Sequence, residues 1–328
     1  MIYTDKAVYN TFGLEAEAAT YIEYSSAEEL ARELPGARRP FLHVGGGSNL
    51  LFASPRFEGT VFHNAATGAE LVGGDSSFVL VKAGGGLVWD SFVQWCIARA
   101  YYGAENLSFI PGEVGAAAVQ NIGAYGAEVK DIIESVECFD TDTCQVRVFS
   151  RSECGYGYRS SFFKTEQGRR YFVLSVTFRL GLEPHFNLSY GPLKELENPT
   201  LEQVRSRIIA TRESKLPDPE KIGSAGSFFM NPVVGQAKYQ SLAASYPDMP
   251  HYPAPGGMVK LSAGWMIDRC GFKGASRGNA GVYERQALVL VNRGGATAGE
   301  IIALAEEIVS AVSEKFGVTL QAEVQLVK

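Results

Sequence analysis

The chain has 328 residues, 46% of them hydrophobic and 20% charged, and its 30 basic and 36 acidic residues give a formal net charge of -6. This is a globular composition and excludes a disordered or fibrous chain. A mildly acidic chain lacks the basic excess of nucleic-acid and anionic-membrane binders, so we expect neither partner. No apolar run approaches the roughly 20 residues that cross a bilayer. Residues 1–10 lack a signal-peptide pattern, so we expect a cytoplasmic protein.

The cysteines and histidines do not form a metal-binding or disulfide pattern. None of the five cysteines belongs to a C-x-x-C pair, and none of the four histidines has a second ligand at metal-binding spacing. We therefore expect reduced thiols and no metal site.

The first third of the chain alternates strand-like and helix-like patterns. Strands are predicted at residues 41–44, 60–64 and 78–83, and Ser26-x-x-Glu29 predicts a capped helix before the first of them. From Trp89, apolar residues recur at helical spacing up to Ala100. This alternation predicts an α/β arrangement in which the Trp89 helix packs on a sheet.

The rest of the chain is predicted to be richer in strands. Thr200-x-x-Gln203 predicts a helix to about Thr211, and Thr297-x-x-Glu300 opens another helix. We place a domain boundary near the proline-containing residues 215–219. Further strands are predicted at residues 132–139, 145–149, 171–180 and 287–292, and a closing strand through Val324.

Residues 45–50, the first glycine-rich segment, directly follow the predicted 41–44 strand. The glycines let backbone N–H groups approach an anion closely, and Ser48 and Asn49 add donors. The segment is neither a Rossmann fingerprint, because Leu50 stands where a glycine is required, nor a P-loop, because the chain has no Gly-Lys dipeptide. The pattern favours a diphosphate site, and a tight turn is the alternative interpretation.

Residues 110–126, the second glycine-rich segment, consist mainly of glycine, alanine and other small residues interrupted by Gln120, Asn121 and Tyr125. A long ligand lying against backbone needs small residues where it lies flat and amides at its polar edges. A buried helix is the alternative, and it is disfavoured because glycine costs a helix interior about 1 kcal/mol. We therefore predict a ligand-binding segment rather than a helix.

The ordered motifs resemble those of the UDP-N-acetylenolpyruvoylglucosamine reductase family of flavoenzymes, and the resemblance runs nearly end to end. Residues 189–193, Ser-Tyr-Gly-Pro-Leu, resemble the tyrosine loop of the longer subtype. The other matching motifs are Gly-Gly-Gly-Ser-Asn-Leu-Leu (45–51), Ile-Pro-Gly (110–112), Gln-Asn-Ile-Gly-Ala-Tyr-Gly (120–126), Gly-Tyr-Arg-Ser-Ser-Phe-Phe-Lys (157–164), Lys-Leu-Pro-Asp-Pro (215–219), Gly-Ser-Phe-Phe-Met-Asn-Pro (226–232), Lys-Leu-Ser-Ala-Gly-Trp-Met-Ile-Asp (260–268) and Glu-Val-Gln-Leu (323–326).

The resemblance implies a mixed α+β and α/β protein with a vanillyl-alcohol-oxidase-type FAD-binding fold and a substrate-binding domain. The implied domains are residues 1–70 joined by 318–328, residues 71–200, and residues 201–317. We expect FAD to be bound non-covalently, because a covalent link needs a histidine or cysteine at the flavin ring. Neither glycine-rich segment contains one, and His43 lies just upstream of the first. The implied FAD residues are Gly45, Gly46, Gly47, Ser48, Asn49, Leu50, Pro111, Gly112, Gly115, Ala116, Gln120, Asn121, Gly123, Ala124, Tyr125 and Gly126.

The resemblance also implies a reaction, in which NADPH reduces the enolpyruvyl ether of UDP-N-acetylglucosamine to UDP-N-acetylmuramate through FAD. Arg159 would stabilise charge on the enolpyruvyl carboxylate, Ser227 would protonate carbon, and Glu323 would help hold the developing enol. No obligate protein partner is implied. The implied substrate residues are Tyr158, Tyr190, Lys215, Asn231, Tyr252, Lys260 and Gln286.

Two positions depart from the family pattern, and two other functions stay open. Met230 stands where relatives commonly have a basic residue, and Ala118 where many have a proline. One alternative is a flavin-dependent alcohol or hydroxy-acid oxidase or dehydrogenase of the same fold, which would need a base instead of a proton donor. The other is a nucleotide-sugar binding module without catalysis.

Overall fold

A computed structural model describes residues 1–328, which form seven α-helices and twenty β-strands. The helices are α1 (Ala27–Glu33), α2 (Trp89–Ile97), α3 (Val114–Gln120), α4 (Leu201–Lys215), α5 (Gln236–Ser245), α6 (Ala263–Arg269) and α7 (Ala298–Phe316). The strands are β1 (Ile2–Ala7), β2 (Glu17–Tyr24), β3 (Phe41–Val44), β4 (Leu50–Phe52), β5 (Arg56–Asn64), β6 (Ala69–Gly74), β7 (Phe78–Gly84), β8 (Gly123–Ala124), β9 (Ala127–Glu128), β10 (Ile133–Asp140), β11 (Gln145–Ser150), β12 (Tyr171–Gly181), β13 (Gly223–Ser227), β14 (Val233–Val234), β15 (His251–Ala254), β16 (Met258–Leu261), β17 (Ser276–Arg277), β18 (Ala280–Val282), β19 (Val289–Asn292) and β20 (Gln325–Val327).

Two units are formed from interleaved parts of the chain. The N-terminal unit contains residues 1–8, 17–47 and 56–212, and the C-terminal unit contains residues 9–16, 48–55 and 213–328. The three domains that the resemblance implies group residues 318–328 with residues 1–70, whereas here residues 318–328 belong to the C-terminal unit. The division into three domains stays a prediction.

The N-terminal unit contains two large sheets. The first has the order β1-β2-β5-β3, with β2, β5 and β3 parallel to one another, and Ser26 caps α1 as predicted. The second is antiparallel, with the order β11-β10-β12-β7-β6. Aromatic residues Phe62 of the first sheet and Phe139 and Phe172 of the second share one buried cluster.

Helix α2 covers the antiparallel sheet and confirms the helix predicted from Trp89. Its predicted apolar residues from Trp89 to Ile97 are buried, whereas Ala100 is exposed and lies beyond the end of the helix. Phe92 packs on Phe178 of β12 with ring centroids 4.5 Å apart. Trp89 Nε1 donates to the carbonyl oxygen of Leu107 at 2.8 Å, so the one polar atom of this buried ring is satisfied.

The C-terminal unit is built on α7 and three small sheets. The sheets have the orders β13-β19-β18-β17, β14-β16-β15 and β4-β20. Thr297 and Glu300 form the predicted capping box of α7, and Gly317 ends the helix with φ +59°. Residues Ile301, Leu304, Ala305, Ile308 and Val312 form the predicted buried stripe of this helix.

Two predictions about local structure are wrong. Residues 114–120 of the second glycine-rich segment form α3, in which Gly115 packs closely on neighbouring backbone, since a Cβ there would lie 3.1 Å from the carbonyl oxygen of Gly85. Close packing against neighbouring backbone therefore offsets the intrinsic cost of glycine in a helix. The closing strand begins at Gln325, one residue after Val324, because its pairing with Leu50 sets the register. No helix combines the length and apolar character needed to cross a membrane.

Candidate active site

The two glycine-rich segments contact each other within the N-terminal unit. A Cβ atom at Gly45 would lie 3.1 Å from Cβ of Ala116, and one at Gly46 would lie 3.3 Å from Cα of Gly112. Gly112 has φ +111°, a conformation that favours glycine. Backbone of both segments is thus brought close together, as binding of a dinucleotide diphosphate by backbone N–H groups requires.

The first segment begins at the carboxyl edge of the parallel strands. Val44, the last residue of β3, pairs with His63 near the end of β5, and Tyr24 at the end of β2 pairs with Asn64. Ligands of α/β sheets bind beyond the carboxyl ends of such strands. The residues present therefore fit an anionic cofactor whose diphosphate lies at this edge.

Residues 48–50 of the first segment belong to the C-terminal unit and have a structural role that the sequence does not reveal. Asn49 Nδ2 donates to the carbonyl oxygen of Glu323 at 3.1 Å, and Gln325 N donates to the carbonyl oxygen of Asn49 at 3.0 Å. Leu50 pairs with Gln325 in the β4–β20 ladder. The segment thus holds the C-terminal strand that contains the residues just after Glu323.

Hydrogen bonds from Arg159 and Lys164 connect residues 157–164 to the second glycine-rich segment. The guanidinium of Arg159 donates to the carbonyl oxygen of Gly123 at 2.7 Å, and Lys164 Nζ donates to Gln120 Oε1 at 2.9 Å. The ring centroid of Tyr158 lies 5.5 Å from the guanidinium carbon. Lys164 is absent from the predicted site residues, although it ends the same motif as Arg159.

Asn121 contributes to the same assembly. Its Nδ2 donates to the carbonyl oxygen of Gly157 at 2.7 Å, and its Oδ1 accepts from Lys130 N at 3.2 Å. The residue is fully buried and ends α3 with φ +47°, a backbone conformation that asparagine tolerates better than most residues. Its side chain is therefore a structural junction, whereas the resemblance implies a contact with FAD.

The tyrosine loop lies against the second glycine-rich segment. The rings of Tyr125 and Tyr190 meet edge to face with centroids 6.0 Å apart. Buried Asn106 donates through Nδ2 to the carbonyl oxygens of Tyr125 and Asn187, both at 2.9 Å, and Asn187 Nδ2 donates to the carbonyl oxygen of Gly126 at 2.9 Å. The two asparagines thus hold the loop in place, and no sequence pattern pointed to them.

Ser227 and Glu323 belong to the C-terminal unit, whereas Arg159 belongs to the N-terminal unit. Ser227 ends β13, follows Gly226 with φ +69°, and pairs with Val289. Glu323 N donates to the carbonyl oxygen of Phe228 at 2.8 Å. Backbone pairing thus places the predicted acid and the predicted glutamate on neighbouring segments of one unit, and both side chains are partly exposed.

Most of the predicted substrate residues of the C-terminal unit gather near the start of α6. Asn231 Oδ1 accepts from Ala263 N at 2.9 Å, and Gln286 Oε1 would lie 3.1 Å from a Cβ at Gly264. Tyr252 and Lys260 are cross-strand partners, with the ammonium 5.9 Å from the ring centroid. Lys215 is exposed at the end of α4.

His43, the histidine nearest in sequence to either glycine-rich segment, makes its side-chain contacts elsewhere. Its Nε2 lies 2.8 Å from the hydroxyl of Tyr24, and its ring stacks on Phe172 with centroids 4.5 Å apart. Desolvation, with a smaller contribution from His63, lowers the pKa of His43 to about 3. The ring is therefore neutral at physiological pH and packed against the adjoining sheet.

Comparison with known proteins identifies relatives over the whole chain. Residues 18–148 match the family described as FAD binding domain, and residues 218–327 match the C-terminal domain of UDP-N-acetylenolpyruvoylglucosamine reductase. The reductase of that name from Bacteroides fragilis is 50% identical over 326 residues, covering 97% of both chains. The one from Porphyromonas gingivalis is 46% identical over 329 residues, covering 97% of this chain and 96% of the relative.

A solved structure supports the same relationship. The crystal structure of UDP-N-acetylenolpyruvylglucosamine reductase from Thermus caldophilus matches with a TM-score of 0.67 at 25% identity, covering 98% of this chain and 96% of that one. The matched residues 18–148 include both glycine-rich segments, and residues 218–327 include Ser227 and Glu323. The predicted FAD-binding fold class is confirmed.

Proposed function

The chain belongs to the UDP-N-acetylenolpyruvoylglucosamine reductase family, and we propose that it reduces the enolpyruvyl ether of UDP-N-acetylglucosamine to UDP-N-acetylmuramate with NADPH as co-substrate. It is an FAD-dependent oxidoreductase. The observation that carries the proposal is the 50% identity to a reductase of this name across 97% of both chains. The product is a precursor of peptidoglycan.

The glycine-rich segments would hold the cofactor. Backbone N–H groups near Gly45, Gly46 and Gly112 are the natural partners of the diphosphate, although the Glu113 side chain also lies close to Gly45 and Gly46. When bound, FAD supplies a two-electron carrier between NADPH and the enolpyruvyl carbon. The hydrogen bond between His43 and Tyr24 and the stacking of His43 on Phe172 support non-covalent binding.

Arg159 would stabilise the charge that hydride addition pushes into the enolpyruvyl carboxylate. A planar guanidinium can make a two-point contact with a carboxylate, which an ammonium cannot. Its hydrogen bond to Gly123 fixes the group beside the cofactor segment and limits its rotamers. A charge held in place before the reaction needs little reorganisation during it.

Ser227 would donate the proton to carbon, and Glu323 would hold the developing enol. The hydroxyl stands at the end of β13, next to a glycine whose left-handed backbone turns the chain. The hydrogen bond from Glu323 N to Phe228 O brings the carboxylate's backbone to the same segment. General acid catalysis of this type contributes about 10² to 10⁴ in rate.

The nucleotide would be bound mainly by the C-terminal unit. Lys215, Asn231 and Tyr252 are the proposed diphosphate contacts, and Lys260 and Gln286 lie near Asn231 at the start of α6. Tyr190, whose ring meets that of Tyr125, would also contact the nucleotide. Met230 has no charge, so binding of the UDP-sugar diphosphate would depend on the other residues of this substrate site.

The visible spectrum tests the proposal. We expect purified protein to be yellow, to bleach under anaerobic NADPH, and to regain its colour when the UDP-enolpyruvyl sugar is added. Bleaching by an alcohol or hydroxy acid but not by NADPH would favour the oxidase, and colourless protein that binds UDP sugars would favour the binding module. Acid precipitation should release all colour to the supernatant, because FAD is non-covalent.

A further inference from the structure

One acidic side chain lies between the two glycine-rich segments. Glu113 belongs to the second segment, and its Oε2 would lie 3.2 Å from a Cβ at Gly45, while its Cγ would lie 3.9 Å from one at Gly46. Only 12% of the Glu113 side chain is exposed. A carboxylate at this position adds negative charge beside a proposed diphosphate site, so its presence calls for a physical reason.

The reason is its partner on the parallel sheet. Glu113 Oε1 and Oε2 lie 3.0 Å and 3.3 Å from His63 Nε2. An ionised carboxylate only accepts hydrogen bonds, so Nε2 must be the donor. His63 is next to Val44 in the sheet register, and Val44 leads directly into Gly45. The hydrogen bond therefore joins the strand edge that begins the first segment to the second segment.

Glu23, the other carboxylate near His63, is occupied by other groups. It accepts from Lys6 Nζ at 2.9 Å and from the Tyr3 hydroxyl at 3.1 Å, and its Oε1 is 3.9 Å from His63 Nδ1. His63 Nδ1 is buried and makes no hydrogen bond. Glu113 is thus the hydrogen-bond partner that orients the His63 ring.

Glu113 lies at the start of α3, although its side chain makes no capping hydrogen bond. It is the N-cap residue of this helix, and its carbonyl oxygen accepts from Ala117 N at 2.8 Å. A hydrogen bond that restrains the Glu113 side chain therefore acts on the residue that joins Gly112 to the first turn of α3. These are the groups that face Gly45 and Gly46.

We propose that Glu113 and His63 are a pair of positioning residues that sets the spacing of the two glycine-rich segments and thereby the affinity for FAD. The inference rests on the proposed use of these segments for FAD. The pair acts through a hydrogen bond and not through charge on the ligand, which predicts that a neutral acceptor at position 113 preserves its effect.

A double-mutant cycle on the full chain tests the pair. FAD is removed, and the Kd is measured by quenching of flavin fluorescence for wild type, Glu113→Ala, His63→Ala and the double variant. We expect each single substitution to raise the Kd for FAD at least tenfold. The double variant should bind FAD no more weakly than the single variant with the higher Kd, because both substitutions remove the same contact. Glu113→Gln should stay within threefold of wild type.

The melting temperature of the FAD-free protein separates positioning from general stability. We expect this melting temperature to change by less than a few degrees in the single variants. The control variant Glu137→Ala, which breaks an ion pair with Lys82 in the same unit, should leave the Kd for FAD unchanged.

If a variant is unstable without FAD, the FAD dissociation rate of its purified holoprotein is measured instead of the Kd. Three results would contradict the proposal: additive losses of FAD affinity in the double variant, an unchanged Kd in the single variants, or a Kd for Glu113→Gln as high as that for Glu113→Ala. Wild type that binds no FAD would instead refute the proposed function.

Discussion

The backbone N–H of Glu323 donates to the carbonyl oxygen of Phe228 at 2.8 Å, which joins the C-terminal segment to the residue directly after Ser227. An isolated bridge between Phe229 and Ala322 continues this pairing. Two residues separated by almost one hundred positions thus sit on paired backbone. The pairing places the backbone of the proposed acid beside that of the proposed enol-binding carboxylate.

Ser227→Ala is expected to separate the two half-reactions. The hydroxyl is needed only when carbon is protonated, so reduction by NADPH should stay within a few-fold of wild type. Reoxidation by the UDP-enolpyruvyl sugar should slow by about 10² to 10⁴, roughly 3 to 5 kcal/mol of barrier. Stopped-flow absorbance measures both steps, and Ser224→Ala on the same strand is the control. Equal slowing of both steps would indicate a role in binding or folding.

Arg159→Lys is expected to keep the charge and lose much of the activity. An ammonium cannot make the planar two-point contact with a carboxylate, so the oxidative half-reaction should slow by at least tenfold, about 1.4 kcal/mol. NADPH reduction should change much less. Steady-state and stopped-flow rates test this against Arg151→Lys, an exposed arginine of the same unit. Turnover of Arg159→Lys at the wild-type rate would contradict the proposed role of Arg159.

Asn187→Ala is expected to loosen the tyrosine loop. The change removes the hydrogen bond to Gly126 O and the acceptor for Ser189, while the buried Asn106 remains. KM for the UDP-enolpyruvyl sugar should rise about five- to tenfold, the equivalent of one or two net hydrogen bonds. The rate of FAD reduction by NADPH should be unchanged. Asn279→Ala in the C-terminal unit is the control, and an unchanged KM would contradict a positioning role for Asn187.

His43→Gln is expected to flatten the fall of stability in mild acid. Burial lowers the pKa of His43 to about 3, below its unfolded value. Below pH 6.5 the unfolded chain therefore binds a proton that the folded chain does not, and stability falls as pH falls toward 3. Wild type should lose about 2 kcal/mol more than the variant between pH 7 and pH 5. Urea unfolding at both pH values measures the difference, and parallel losses would contradict it.

Local sequence patterns predicted the elements whose signals are short-range. The capping residues of α1, α4 and α7 and the apolar stripes of α2 and α7 were predicted correctly, because each depends on side chains within a few turns. Their composition also predicted that the two glycine-rich segments bind a ligand, and the assignment of individual residues to FAD stays a prediction. Helix α3 was missed because its small residues carry no helical periodicity of their own, and packing against Gly85 and Val173 stabilises it instead.

Contacts between distant residues were decided only by the folded chain. The approach of Gly45 to Ala116, the hydrogen bond of Asn121 to Gly157 and the pairing of Leu50 with Gln325 each join segments that no local pattern relates. The same holds for His63 and Glu113, fifty residues apart, whose side chains meet because strand register and close glycine packing bring them together. The local sequence determines which backbone conformations have low free energy. Which distant groups meet depends on burial and pairing across the whole unit, since only there does the gain exceed the entropy of closing the intervening loops.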